Sequence, residues 1–471
     1  MQKNNNIIIN SFFYLFFVCT GILTILYQIH FDDLWFDEMV SFWVADPSLI
    51  HSETLLRHNE IDLHSPKLFT FLLKFFLNFT GYDSQLARYL PFIFGSVSLI
   101  IFGAISYQVQ KNSSFLLTTF LACTSIYIIK YSQELRPYSL LLLTSSLNIF
   151  FYINLIFNSE KKIKNSLFFI FFSVLNYSTH PFALIIFFSQ ITHSIYKYIF
   201  LNEALKMHLF LYLLVIVFYT IFNHDYILLQ ISFESYSLSD DIKNVIDGFY
   251  FPRFFGSKIM GYYYLLLLIL LVIKNSKMIF SKKNIYLFLL IIILFSYVVP
   301  LVYGIINTPV LHDRYIIFIL IPILVLISCL IYEIKNKKVK FILISFTVIL
   351  TLLNHYIEIF ERPNTKPQFN NIIEDIHLSD TKNIVLFIND DPSDDVYKNL
   401  ISNYIQNIVS SPKYIFKFYR YDNMPDELQN LWLICYKPNI DYDCKIKTNN
   451  NFEIVDTKIY WQVEAKLHKL K

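Results

Sequence analysis

The chain has 471 residues, of which 55% are hydrophobic and 16% charged, against roughly 25% charged in a soluble protein. No soluble fold of this length hides so much apolar surface, so an ordinary globular protein is excluded and a bilayer is the natural solvent. The formal net charge of +3 says little alone, and no nucleic-acid partner is expected. What matters is where the charges lie.

The first apolar run, Ile7 to Ile29, follows Lys3 and is longer than a signal-peptide core. It reads as a retained first transmembrane helix. A span needs about 20 apolar residues. Eleven runs approach that: 7–29, 87–109, 113–131, 138–157, 166–180, 181–200, 208–223, 261–273, 284–303, 315–333 and 339–356. The run after Pro66, PKLFTFLLKFFLNF, is shorter, and Lys67 and Lys74 share one helical face. That pattern fits a helix lying in the membrane surface within the first outer loop, 30–86.

Lysine placement tests the count, because positive residues collect in cytoplasmic loops. A cytoplasmic N-terminus puts Lys111, Lys161, Lys162, Lys164, Lys197, Lys206, Lys274, Lys277, Lys282, Lys283, Lys335, Lys337, Lys338 and Lys340 inside. Had 66–79 crossed, every cluster would lie outside. The same parity places 30–86, 131–138, 224–260, 304–314 and the tail beyond Glu358 on the outer side. The arginines of the membrane portion (Arg57, Arg88, Arg136, Arg253 and Arg314) all fall in or beside these outer segments. Arginine's rigid fork suits phosphate.

The tail, 366–471, turns polar and carries β-like runs: NIVLFIND, YIFKFYR and LWLICYK. Helices are expected at Asn370 to Ile376 and Asp394 to Asn407. The fold expected is thus an α-helical polytopic membrane protein of about 11 transmembrane helices, domain 1–357, joined by a hinge at 362–368 to a small outer α/β domain, 366–471. Of the five cysteines, Cys435 and Cys444 lie in this tail and could form a disulfide on an oxidising side.

The chemistry-bearing residues follow in chain order. Asp37 and Glu38 are adjacent carboxylates in FDDLWFDEMVSFW, at the start of a short helical pattern. One could take a proton from an acceptor hydroxyl; helix capping is the plainer alternative. Asp62 and His64, with Glu60 nearby, could hold a divalent metal or simply order the loop. YSQELRPYSL offers Glu134, Arg136 and Tyr138 at an outer turn. His180 lies between two spans, and LHDRY places Arg314 at the water–lipid boundary, where snorkelling is the ordinary role. The spans themselves carry little charge, which argues against an ion pathway.

The order of these motifs resembles the GT-C superfamily of membrane glycosyltransferases. The nearest pattern is that of bacterial members related to protein O-mannosyltransferases and lipid A aminoarabinose transferases. FDEMVSFW, the stretch from IDLHSPKLF to GYDSQLARYLPFIFGS, SQELRPYSL and HDRYIIFILIP carry the match across roughly residues 1–330. The resemblance implies a polyprenyl-phosphate-linked sugar as donor, and a lipid, glycan or protein hydroxyl as acceptor, at the outer face of a bacterial plasma membrane. It implies Asp37 and its neighbour Glu38 as catalytic residues, and donor-phosphate contacts from Arg136, Arg314, Arg88 and Tyr138. Asp62, His64 and His180 fall in the acceptor or metal region, and metal dependence varies in that family. Two alternatives from other classes are a lipid-linked glycan flippase and a non-catalytic scaffold.

Overall fold

The structure is a computed structural model. It describes residues 2–62, 65–157, 162–201, 205–232, 251–280, 285–306, 310–388, 395–409, 415–419, 429–436 and 452–470. The chain divides into two compact units.

The first unit comprises residues 1–27, 63–69 and 90–362 and is helical. Each of the eleven apolar runs folds as helix, but not all are long enough to cross a bilayer. Seven helices are long and apolar enough: Ile8–Leu26, Ser84–Val109, Tyr138–Ile156, Pro181–Leu201, Ile285–Ile306, Asp313–Tyr332 and Lys337–Phe360. The pair Ser114–Cys123 and Ile126–Ser132 makes an eighth if its 54° bend lies within one span. The expected eleven is therefore corrected to seven or eight among the described residues. The reason is length. Lys162–Tyr177 has 16 residues, and Lys206–Phe222 and Lys258–Lys274 have 17 each. At about 1.5 Å per residue these fall short of a roughly 30 Å hydrocarbon layer. The run 113–131 breaks where Ser125 caps a new helix, its Oγ accepting from Ile128 N. Leu68–Thr80, with 13 residues, is also shorter than a span.

The helix Leu320–Tyr332 is apolar all round and buried along nearly its whole length, as a core helix must be. Ile8–Leu26 and Lys337–Phe360 have few of their residues buried. Phe12, Phe16, Phe341 and Phe346 face outward from them, a surface suited to lipid. Small residues let helices close up: a Cβ on Gly95 would clash with the Ser132 side chain.

The spans also hold more polar groups than their low charge suggests. Gln190 Nε2 donates to Asn148 Oδ1, and Asn148 Nδ2 to Ser173 Oγ. Tyr152 OH meets His193 Nδ1 at 2.9 Å, and Thr144 and Ser145 both donate to Asn176 Oδ1. These bonds join neighbouring helices where no water can serve as partner. Near the bend, Gln133 Nε2 donates to the carbonyls of Ile25 and Tyr27, and its Oε1 accepts from Arg362.

The second unit comprises residues 28–62, 70–89 and 363–471, so the first loop and the tail form one body. Its sheet has five strands: β1 (Asn383–Ile388), β2 (Lys417–Tyr419), β3 (Asn430–Tyr436), β4 (Phe452–Tyr460) and β5 (Val463–Leu470), in the order β2-β1-β3-β5-β4. β1 pairs in parallel with β2 and β3, while β5 runs antiparallel to β3 and β4. Leu431 to Cys435 of β3 are all buried, as a central strand covered on both faces requires. The helices Phe369–Leu378 and Asp395–Val409 lie within two residues of their expected bounds. The β4–β5 hairpin was not anticipated. From the loop, Val40, Trp43 and Val44 of the helix Phe36–Val44 bury together with Leu400 of the tail. Cys435 is disulfide-bonded; Cys444 lies outside the described residues.

Candidate functional site

The first cluster is built on the helix Phe36–Val44. Asp37 is its second residue and Glu38 its third. Glu38 is fully buried, and its Oε2 accepts from Trp35 N at 3.4 Å, closing the first turn. Arg88 reaches both carboxylate oxygens, Nε to Oε1 at 3.2 Å and NH2 to Oε2 at 3.0 Å. Its remaining N–H groups donate to the carbonyls of Ile29, Asp32 and Asp33. Burial works against the Arg88 charge, and the paired Glu38 carboxylate compensates it. Lys366, from the expected hinge, adds a second cation 2.6 Å from Glu38 Oε2.

Asp37 is partly exposed. Its own carbonyl accepts from Ser41 Oγ at 3.2 Å. Burial first, and the Asp37 carboxylate second, push the phenol of Tyr436 up to about 12, so the end of β3 lies in the field of Asp37. Asp33 accepts from both the backbone and side-chain nitrogens of Asn370. Its pKa is raised to about 6, chiefly by burial, with Asn370 and Arg88 opposing the shift. Tyr404 OH accepts from Leu34 N, and Tyr82 stacks on Phe42 with ring centres 4.2 Å apart.

The second cluster lies within the helical unit. The Arg314 guanidinium stands 5.6 Å from the Tyr138 ring centre and 5.5 Å from that of Tyr315, both within cation–π range. Tyr315 packs against His180 at 4.9 Å and against His312 at 5.4 Å. Asp313 Oδ1 meets His312 Nδ1 at 2.5 Å and accepts from Arg314 N at 2.9 Å. Arg136 and Glu134 are buried, and Tyr138 lies in the field of Arg136, Arg314 and Glu134 together. The local reason is Pro137. It opens the helix Tyr138–Phe157, its carbonyl accepting from Leu141 N. The side chains of 134–138 are thereby gathered at one helix end.

The structure thus brings together Arg136, Arg314, Tyr138 and His180. Arg88 stands instead in the loop-and-tail unit, with its N–H groups turned to Glu38 and to main-chain carbonyls. Asp62 ends the helix His51–Ile61, its N–H donating to His58 O. His64 lies outside the described residues. Among the described residues, no three His, Cys, Asp or Glu side chains converge as a metal ion would require. The sequence reading missed Lys366, Asn370, Tyr404 and Tyr436, which come from far along the chain. Asp32 and Asp33 were in view within FDDLW, but nothing local distinguished them. His312 and Asp313 were legible only as part of the HDRY string.

These features define a multi-span helical membrane protein with a small five-stranded sheet domain. The particular likeness is to ArnT from Cupriavidus metallidurans. Its apo structure matches with a TM-score of 0.62 at 8% identity, over 97% of this chain and 98% of ArnT. ArnT bound to undecaprenyl phosphate matches with a TM-score of 0.59 at 8% identity, over 96% and 97% of the two chains. An oligosaccharyltransferase from Archaeoglobus fulgidus, in complex with zinc and sulfate, reaches a TM-score of 0.47 at 10% identity, over 79% of this chain and 60% of its own. No protein-family model and no curated protein matches the chain. At such identities the likeness is one of fold.

Proposed function

We propose that the chain is a glycosyltransferase that moves a sugar from a polyprenyl-phosphate donor to a hydroxyl of a lipid, glycan or protein. The observation that carries this is the near full-length likeness to ArnT, one of whose structures holds undecaprenyl phosphate. The buried Arg136 and the aromatic-flanked Arg314 supply the chemistry such a donor needs.

In this reading Arg136 and Arg314 face the donor phosphate at the membrane boundary. Their charge stabilises the polyprenyl phosphate as the glycosidic bond breaks and negative charge builds on it. Tyr138 and Tyr315 flank the Arg314 fork, with His180 packed behind Tyr315, and shield it from water, which strengthens the interaction. Asp37 takes the proton from the acceptor hydroxyl as its oxygen attacks the anomeric carbon, and direct displacement inverts that centre. Glu38, gripped on both oxygens, holds the turn that carries Asp37. Counted over all eleven apolar runs, with the three helices of 16 and 17 residues taken as crossings, the lysine distribution supports a cytoplasmic N-terminus, with the loop 30–86 and the domain 366–471 on the outer side and the catalytic membrane domain at 1–357.

The test is direct. The purified chain in lipid nanodiscs is incubated with a panel of undecaprenyl-phosphate sugars and membrane acceptors, and release of undecaprenyl phosphate is followed. Release that depends on both sugar donor and acceptor supports the reading. No release with any donor, in a chain that still binds undecaprenyl phosphate, would defeat it.

The flippase alternative draws on the polar groups inside the spans. Asn148, Gln190, Ser173 and Tyr152 nevertheless hydrogen-bond across helices within the protein, as packing contacts do. Movement of an intact lipid-linked sugar across a vesicle membrane, without bond cleavage, would favour that alternative.

A further inference from the structure

The segment 362–368, expected as a hinge, buries a lysine. Lys366 is 9% exposed. Its ammonium lies 2.6 Å from Glu38 Oε2 and 5.9 Å from the centre of the Trp35 ring. The same oxygen accepts from Arg88 and from the Trp35 N–H. Residues on either side hold the same loop: Thr365 N donates to Asp32 Oδ1 at 3.4 Å, and Asn370 N to Asp33 Oδ2 at 2.8 Å.

Glu38 and Arg88 already neutralise each other. Adding a second buried cation costs desolvation, which the attraction to one carboxylate repays only in part. A lysine kept there at that cost needs a reason beyond holding the loop closed. The geometry supplies one. The oxygen that Lys366 grips is the one that closes the first turn of the helix Phe36–Val44, and Asp37 lies inside that turn, between Trp35 and Glu38.

We propose that Lys366 is a positioning residue for sugar transfer, acting through Glu38 to fix the direction of the Asp37 carboxylate. The C-terminal domain would then contribute to the reaction by holding the base of the first loop, through its opening segment. This inference rests on the glycosyltransferase reading above.

Lys366→Met leaves Glu38 and Arg88 as a neutral pair, so the unit should still fold. The full chain in nanodiscs is assayed with whichever undecaprenyl-phosphate sugar of the panel it turns over fastest. Lys366→Met should lower kcat about 10- to 100-fold through misplacement of the base, with KM for the donor within about twofold. Lys366→Arg should recover most of the loss. Hydrogen exchange needs no substrate: amides of Phe36–Val44 should exchange faster in Lys366→Met while β3 keeps its protection. Unchanged exchange in that helix, or an unchanged kcat, overturns the inference, as does loss of β3 protection, which would make Lys366 merely structural. Asp37→Asn is assayed in parallel. Full activity there defeats the transfer reading itself; an inactive Asp37→Asn beside a fully active Lys366→Met defeats only the role of Lys366.

Discussion

The guanidinium of Arg314 stands over the ring of Tyr138, 5.6 Å from its centre, although 176 positions of chain (138 to 314) separate the two residues. A planar cation flanked by aromatic faces is held in direction as well as in place. Arg314→Ala should therefore raise KM for the polyprenyl-phosphate donor by about 10- to 100-fold, the range of a lost charge-assisted contact. Arg314→Lys should restore only part of it, since a point charge replaces a fork. Tyr138→Leu should cost less, about fivefold, in line with a cation–π contact of roughly 1 kcal/mol. Steady-state kinetics with varied donor concentration separate these outcomes.

Asp37→Asn should lower kcat by about 100- to 10,000-fold, the usual contribution of a general base. Insertion and abundance should stay near wild type, because Asp37 is partly exposed and the buried carboxylate of that turn is Glu38. Transfer assays and membrane yield, read side by side, check both halves of this expectation.

Breaking the Glu38–Arg88 pair should behave differently. Glu38→Gln leaves Arg88 and Lys366 buried without a formal counter-charge in that pair, and should destabilise the loop-and-tail unit by about 3–5 kcal/mol. Arg88→Met leaves Glu38 with Lys366 and should cost less. Hydrogen exchange of β3 and of the helix Phe36–Val44 would report the order. A Glu38→Gln protein as stable as wild type would show that the ion pair does not hold this unit.

Asp33 makes stability depend on pH in an unusual direction. Its folded pKa is raised from 3.8 to about 6, so between those values the folded chain binds more protons than the unfolded one. The stabilisation is complete below about pH 4 and is lost as pH rises through about 6. Its size is at most about 3 kcal/mol, less for the exposure the residue retains. His468 acts in the opposite sense: burial lowers its pKa, so its contribution is present above about pH 6.5 and falls away in acid. The difference between wild type and Asp33→Asn, measured by hydrogen exchange of the Phe369–Leu378 helix from pH 4 to 7.5, isolates the Asp33 part. A flat difference would mean that the carboxylate is not buried as described.

The topology is checked by labelling. A membrane-impermeant thiol reagent applied to intact cells should modify Lys382→Cys in the tail, and modify Lys277→Cys only after permeabilisation. Both positions are exposed on the protein surface. The reverse pattern would place the loop and tail in the cytoplasm and remove the acceptor side on which the proposed transfer depends.

Much of this protein was legible in the chain as a string. Apolar runs must become helices in a bilayer, because no other backbone satisfies its own hydrogen bonds there, and all eleven runs did. Pro137, the HDRY string and the Asp37–Glu38 pair likewise marked, by local means, residues on which the two clusters are built. Span count was another matter. Whether a 17-residue apolar helix crosses, and whether 113–131 bends at Ser125, depends on neighbours that hydropathy does not contain.

Only the tertiary structure decided which charge answers which. Arg88, like Arg136 and Arg314, falls in or beside a loop expected on the outer side, yet it turns to Glu38, while Arg136 and Arg314 converge on Tyr138. Lys366 looked like one residue of a polar linker until folding buried it against a carboxylate more than 300 positions away. The physical reason is range. Helix formation is settled within a few turns of chain, whereas an ion's partner is chosen by distance in space and by loss of water, which local sequence does not encode.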